Sequence, residues 1–277
     1  VYLGFSLANV SYLAWGGEIS RESVTRTRVT AWREGFGLIG VLLGAALPAV
    51  LMASMSEASA FRSFAIVFVA LTALASAITL GGGAPPAIAP PVVPQALWQA
   101  LLLPFRNPAF RPLLAIFMFS GVAAAIPATL FLYFVRDVVA RPDLQAHFLV
   151  LYFVAAALGL PGWVLLSARV GKVRAWFIGM LAAIAAFVWA VFLGAHDLVG
   201  YGAICILSGL AFGADVALPA SLLADVIDRD EAAGLGRNEG AYFGLWALAV
   251  KLNAALAAGI ALPLLATLGY DAKVGVT

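Results

Sequence analysis

Charge, cysteine and histidine are all scarce in this 277-residue chain. Charged residues make up 11% of it, against about a quarter in a typical soluble domain. Cys205 is the only cysteine, so an internal disulfide and a cysteine metal cluster are both excluded. The two histidines, His147 and His196, fall at the outer ends of apolar stretches. They have neither metal-ligand spacing nor an arguable place in a Ser/His/Asp triad. A glycine-rich phosphate loop of the Walker type is also missing, so nothing points to ATP drive. The net charge of +2 is too small to mark an anionic partner, nucleic acid included. No residue pattern assigns a catalytic group, a metal or a cofactor. What the chain does have is apolar residues, 64% of the total, with a mean hydropathy of +1.02. One water-soluble core could not hide that much apolar surface. Residue 1 is Val, inside an apolar stretch, and we expect a piece of a longer protein.

A membrane-crossing helix needs about 20 mostly apolar residues. Eight stretches meet or approach this: 1–18, 31–55, 62–81, 111–135, 145–168, 175–194, 199–226 and 240–268. They are too long, and too little alternating, for barrel strands, and backbone groups in lipid must be satisfied internally. The expected fold class is therefore all-α, a polytopic membrane helix bundle. Eight of the fourteen prolines fall between Gly81 and Pro112, a density that excludes a membrane helix there. We expect a division into 1–81 with three spans, a Pro-rich cytoplasmic loop at 82–110, and 111–277 with five spans. Within that loop, Gln95–Leu103 suits a short surface helix anchored by Trp98. Eleven loop Lys and Arg residues fall on one side and four on the other, which makes the richer side cytoplasmic. On this reading the first span runs inward, and an odd number of spans precedes Val1.

Ionisable groups at membrane depth are costly, so each needs a partner, a wet cavity or a role. Lys251 lies about 16 Å into the last span. Its helical neighbours Gly244, Ala247, Leu248, Ala254, Ala255 and Ala258 are mostly small, which suits a bundle interior or cavity. Asp215 sits at similar depth in the preceding span. It either pairs with Lys251, faces the same cavity, or makes a self-contained polar contact. Arg33 and Glu34 at the start of the second span suit a local gate, a substrate contact or an ion pair at the headgroups. Asn9, Tyr12 and Gly16 share one face of the first span. On the cytoplasmic side, Arg169, Lys172, Asp225, Asp228 and Arg237 could form ion pairs that close one conformational state. Asp225, Asp228, Asp230 and Glu231 also admit a rival reading, a divalent-ion site of a membrane enzyme. A non-transporting sensor is a second rival. Isolated interior charges in a helical bundle fit a secondary transporter best.

Three stretches carry a family resemblance. Tyr12–Gly40, YLAWGGEISRESVTRTRVTAWREGFGLIG, resembles the fourth helix, basic loop and fifth helix of the glycoside–pentoside–hexuronide:cation symporters. These are the melibiose permease-like family of the major facilitator superfamily. Pro161–Lys172, PGWVLLSARVGK, is similar to the superfamily's loop after the eighth helix. Leu218–Leu252, LPASLLADVIDRDEAAGLGRNEGAYFGLWALAVKL, resembles the tenth helix, its loop and the eleventh helix. NPAFRPLL from Asn107 resembles the start of the seventh. The resemblance implies helices four to eleven of twelve, with three spans missing before Val1 and one after Thr277. It places the family's eleventh-helix lysine on Lys251, its fifth-helix arginine on or beside Arg33, and its fourth-helix acidic site near Asn9. Asparagine there carries no charge, a departure from melibiose permease.

These observations together lead us to expect a multi-pass protein of the cell membrane, working as a monomer by alternating access. It would carry a sugar or glycoside by cation symport, binding the small-molecule substrate through Asn9, Tyr12, Arg33 and Lys251. Asp215 and Lys251 would supply the interior charge, and the lipid bilayer is the other partner. No resident cofactor is expected. The resemblance puts the sites for a co-transported Na+ or H+ in the missing N-terminal part. A lysolipid or another non-sugar solute is the alternative cargo, favoured by a wide opening to the bilayer between the two halves.

Overall fold

The structure, a computed structural model, describes residues 4, 8–13, 15, 23–52, 54–82, 101–232 and 239–270. Seven long helices run through them: α1 (Ser23–Met52), α2 (Glu57–Gly82), α3 (Phe110–Tyr133), α4 (Gln145–Val170), α5 (Lys172–Trp189), α6 (Leu198–Ala232) and α7 (Glu239–Thr267). Residues 4, 8–13 and 15 of the expected first span are also helical. The described residues contain no strand. Six helical segments, based on α2 to α7, are long and apolar enough to cross a membrane. The expected second span is α1, whose first turns hold Arg28, Arg33 and Glu34. It begins at Ser23, eight residues before the expected start, because the basic stretch continues the helix instead of forming a loop. Likewise α6 runs to Ala232, beyond the expected end at 226. Most of the expected proline-rich loop, including residues 95–100 of its surface helix and Trp98, lies outside the described residues. Pro48, Pro127, Pro161, Pro219 and Pro263 all sit inside helices that continue past them.

Lipid supplies no hydrophobic force between helices, so association depends on close contact and on polar cross-links. Helices α4, α5 and α6 form one tightly packed group, with α6 in the middle. Helix α3 lies along α7, and α1 lies against α4 and α6 with α2 outside it. Glycine permits the closest seam. A Cβ at Gly159 of α4 would stand 2.9 Å from the carbonyl oxygen of Leu210 in α6, and one at Gly209 would press on the carbonyl of Tyr152. Replacing Gly159 by alanine should therefore cost about 1–3 kcal/mol, read as a lower midpoint of thermal unfolding in detergent. An unchanged midpoint would mean that α4 and α6 can separate freely there. Between α4 and α5, Gly171 has φ of +88°, a conformation that strains any residue with a Cβ. Its N–H donates to the Ser167 carbonyl at 3.0 Å, and its own carbonyl accepts from Ala175 at 3.0 Å. The glycine of the R-x-G-K stretch thus ends one helix and starts the next.

Aromatic rings hold α3 to α7. Phe117 stacks on Trp246 with centroids 3.9 Å apart, and Phe110 meets Tyr242 edge-on at 4.9 Å. These rings belong to an apolar cluster that also takes in Trp176 of α5 and Leu218 of α6. A second cluster, with Val135, Phe148 and Tyr201, ties the far ends of α3, α4 and α6. A third joins Ala31 and Leu38 of α1 to Leu160 of α4 and Ala217 of α6.

Candidate functional site

Two polar contacts join α1, α5 and α6 at the end of the bundle expected to be cytoplasmic. The Thr27 and Ser221 hydroxyls are hydrogen-bonded at 2.8 Å, both buried. One turn along α6, Lys172 Nζ donates to Asp225 Oδ2 at 2.6 Å and to the Ser221 carbonyl at 3.3 Å. A cavity of about 320 Å³ between Val24, Thr27, Ala168, Lys172, Asp225 and Arg229 adjoins these groups. Lys172 and Asp225 were both expected at a cytoplasmic gate, and they do meet. Arg169 is exposed and reaches no carboxylate among the described residues. Asp228 is half-buried, and Arg237 lies outside the described residues. The Thr27–Ser221 bond was not anticipated, since a single hydroxyl carries no sequence signal. Removing it by Thr27→Val should cost about 1 kcal/mol of the state in which it forms. That shifts a two-state balance by about fivefold. With Cys205 replaced by serine and a cysteine at Ala168, the variant should be alkylated correspondingly faster. Equal rates would show that the bond holds nothing closed.

Deeper in the bundle, the expected residues lie apart. On α7 the buried side is Tyr242, Phe243, Trp246, Ala249, Asn253, Ala257 and Ala261, against α3. Lys251 lies on the opposite, exposed face, among Gly244, Ala247, Ala254, Ala255 and Ala258. Asp215 is half-buried on α6 and accepts from Trp176 Nε1 at 2.8 Å. No ion pair joins it to Lys251, which leaves the other two expectations for it: a shared cavity, or the contact with the indole. The Arg33 guanidinium is turned to its neighbour Glu34, with Nη2 at 2.7 Å from Oε1 and Nε at 3.1 Å. Among the described residues it does not touch Asn9, Tyr12 or Lys251. Asn9 is half-buried; Tyr12 is exposed, with its ring 6.4 Å from that of Trp15. Leu13 packs on the Phe117–Trp246 cluster, so this stretch lies on the α3–α7 side.

Two carboxylates of the rival metal reading, Asp225 and Asp230, are held by different partners. Asp230 is buried where Asn107 Nδ2 donates to its Oδ1 at 2.8 Å and the Tyr242 hydroxyl donates to its Oδ2. Asn107 Oδ1 in turn accepts from the backbone N–H of Ala109 at 2.7 Å and Phe110 at 3.3 Å. This network ties the NPAF stretch to the end of α6 and the start of α7. Among the described residues, no group of three or more His, Cys, Asp or Glu side chains could hold a metal ion. At the opposite membrane side, Asp137 accepts from Arg136 at 2.9 Å and from the Tyr270 hydroxyl, linking the ends of α3 and α7.

An apolar groove of about 380 Å³ runs between α1 and α4. Ala31, Trp32, Gly35, Phe36 and Ile39 form one wall, Leu160, Pro161 and Leu165 the other, and Arg28 stands at one end. Trp32, Phe36 and Leu165 are 70%, 66% and 62% exposed, so its outward side is open.

Known proteins agree with this architecture. Lysophosphatidylcholine symporter 1, sodium-dependent, of Xenopus tropicalis is 28% identical over 136 residues, covering 49% of this chain and 26% of that protein. Its Gallus gallus counterpart is 24% identical over 185 residues, covering 65% of this chain and 34% of that protein. This chain therefore matches about a quarter to a third of the length of those relatives. The family described as MFS/sugar transport protein matches residues 1–277, a transporter family of multi-pass helical membrane proteins. The chain belongs to that family.

Proposed function

We propose that the whole protein is a monomeric, cation-coupled secondary transporter of the cell membrane, and that its cargo is a single-chain amphiphile of the lysophospholipid class. The α1–α4 groove carries this reading. It is an apolar slot, open outward, between a helix from before residues 83–100 and one from after them. A hydrated sugar gains nothing from such a wall, whereas an alkyl chain loses no hydrogen bond by leaving lipid for it. Arg28 at the end of the slot suits a phosphate. The names of the two relatives point to the same cargo and to sodium as the coupling ion. A sugar or glycoside is the second reading, favoured by the family description and by the hydrogen-bonding set Asn9, Tyr12, Arg33 and Lys251.

In either case the movement is alternating access. Residues 1–81 and 111–277 would belong to two halves that rock about a central loop at 82–110. Thr27–Ser221 and Lys172–Asp225 would help close the cytoplasmic side. Lys251 and Asp215 would present charge to the interior. The test is uptake by the full-length parent in vesicles, under an imposed Na+ gradient and then a pH gradient. The substrates are labelled lysophosphatidylcholine and a panel of sugars. Lysolipid accumulation that needs the Na+ gradient is the expected result. Sugar accumulation alone would establish the second reading. Accumulation of neither, by correctly folded protein, would remove both.

A further inference from the structure

A second apolar space lies further along α4, nearer its start than the groove. It occupies about 320 Å³ between α3 and the α4–α6 pair. None of the expected substrate-binding residues lines it. Its walls are largely aromatic: Phe131 of α3 and Phe134 just past its end, Tyr152 and Phe153 of α4, Tyr201 of α6, and Phe187 of α5. The space exists because α3 lies along α7 and touches α6 only sparingly. At one end Tyr201 closes it, stacked on Phe134 at 5.3 Å and edge-on to Phe148 at 4.8 Å.

We infer that this cavity is a binding site for a single alkyl chain. Its lining runs along α3 from Ala124 to Phe131 and on to Phe134 just past the helix end, a length of about 15 Å. The wall chemistry excludes a sugar. Ser208, at the wall, donates its hydroxyl to the Ile204 carbonyl at 2.6 Å and is thereby satisfied within its own helix. Sugar hydroxyls would be left without partners there. Phe153 connects the cavity to the groove. It lines the cavity and also packs on the cluster that includes the groove residues Ala31 and Leu160. Ala157, one turn further along α4, already lines the groove. Phe153 is thus a side chain shared by the cavity and the packing beside the groove. The inference deepens the amphiphile reading, and for the identity of the polar head it rests on that reading.

The test is photolabelling of the full-length parent in nanodiscs, with two probes. One is a palmitoyl lysophosphatidylcholine carrying a diazirine at the chain end; the other is a dodecyl diazirine with no head group. Labelled peptides are mapped by mass spectrometry. Both probes should mark Phe131–Phe134 or Tyr201–Ser208, and unlabelled lysolipid should displace the first. Ala128→Trp, at an exposed lining position, should cut that labelling about tenfold, equivalent to about 1.4 kcal/mol of binding. Labelling by the headless probe alone would keep the cavity as a chain site while removing lysolipid as the cargo. If neither probe marks these segments in the unaltered protein, or the tryptophan changes nothing, the inference is overturned.

Discussion

Replacing Lys251 by alanine in the full-length parent should lower uptake at least about tenfold, a loss of roughly 1.4 kcal/mol or more, without unfolding the protein. The two halves of this expectation come from opposite faces of α7. The packed face, from Tyr242 through Trp246 and Asn253 to Ala261, faces α3 and is untouched by the substitution. A change on the exposed face should alter stability by no more than about 0.5 kcal/mol. The charged face is where the cost of keeping a lysine must be offset. An ammonium near the middle of a span is unfavourable by several kcal/mol in bare hydrocarbon. The expectation is that this face, with Gly244, Ala247, Ala254 and Ala255, meets water, an anion or a polar cargo. Lys251→Arg keeps the charge and should retain more transport than alanine. Its planar fork cannot reproduce a compact ammonium among small residues, so recovery should be partial. Initial rates in vesicles, normalised to folded protein, decide the matter. A wild-type rate in the alanine variant would take Lys251 out of the mechanism.

The degree to which the chain could be read in advance follows from the physics of each element. Helices α2 to α7 were legible because backbone in lipid allows little else over twenty apolar residues. Their ends were less so. The charges of Arg28, Arg33 and Glu34 suggest a loop, yet a helix continues through them from Ser23, since exposed charge does not break a helix. The Lys172–Asp225 pair was legible in part, because opposite charges at two cytoplasmic helix ends are few enough to match. The partner of Asp215 was not. Nothing in a one-dimensional pattern distinguishes Trp176 from the chain's other tryptophans as an indole donor. Thr27 and Ser221 were hidden for the same reason: they are 194 positions apart, and ordinary in type. The two apolar spaces were also invisible, because a void depends on how helices diverge. Only the stated consequence could be written beforehand, that an opening to the bilayer favours a lipid cargo.

Asp230 should prove the most costly single truncation among the described residues at the cytoplasmic side. In Asp230→Ala, the Asn107 amide and the Tyr242 hydroxyl lose their acceptor in a buried place. Each stranded donor costs about 1–3 kcal/mol, so the variant should be less stable by roughly 2–4 kcal/mol. Asp230→Asn should fall between, since its amide oxygen can still accept one bond. Tyr242→Phe leaves Asp230 Oδ2 without that donor and removes a second acceptor of the Asn107 amide at 3.3 Å, so it should cost about 1–3 kcal/mol, less than the alanine variant, because the Asn107–Asp230 bond and the ring edge-on to Phe110 remain. That order separates a hydrogen-bonded anchor from an exposed acidic cluster, in which all three variants would be near neutral. Thermal unfolding of the full-length parent in nanodiscs measures it. The consequence should reach Lys251 along one helix. Tyr242 and Lys251 are both on α7, about 14 Å apart along its axis, and the network fixes where that helix begins. If the alanine variant folds at reduced temperature, its uptake should still be impaired, because α7 would no longer hold Lys251 at a defined height. Full stability together with full uptake in Asp230→Ala would remove the anchor and its link to Lys251 at once.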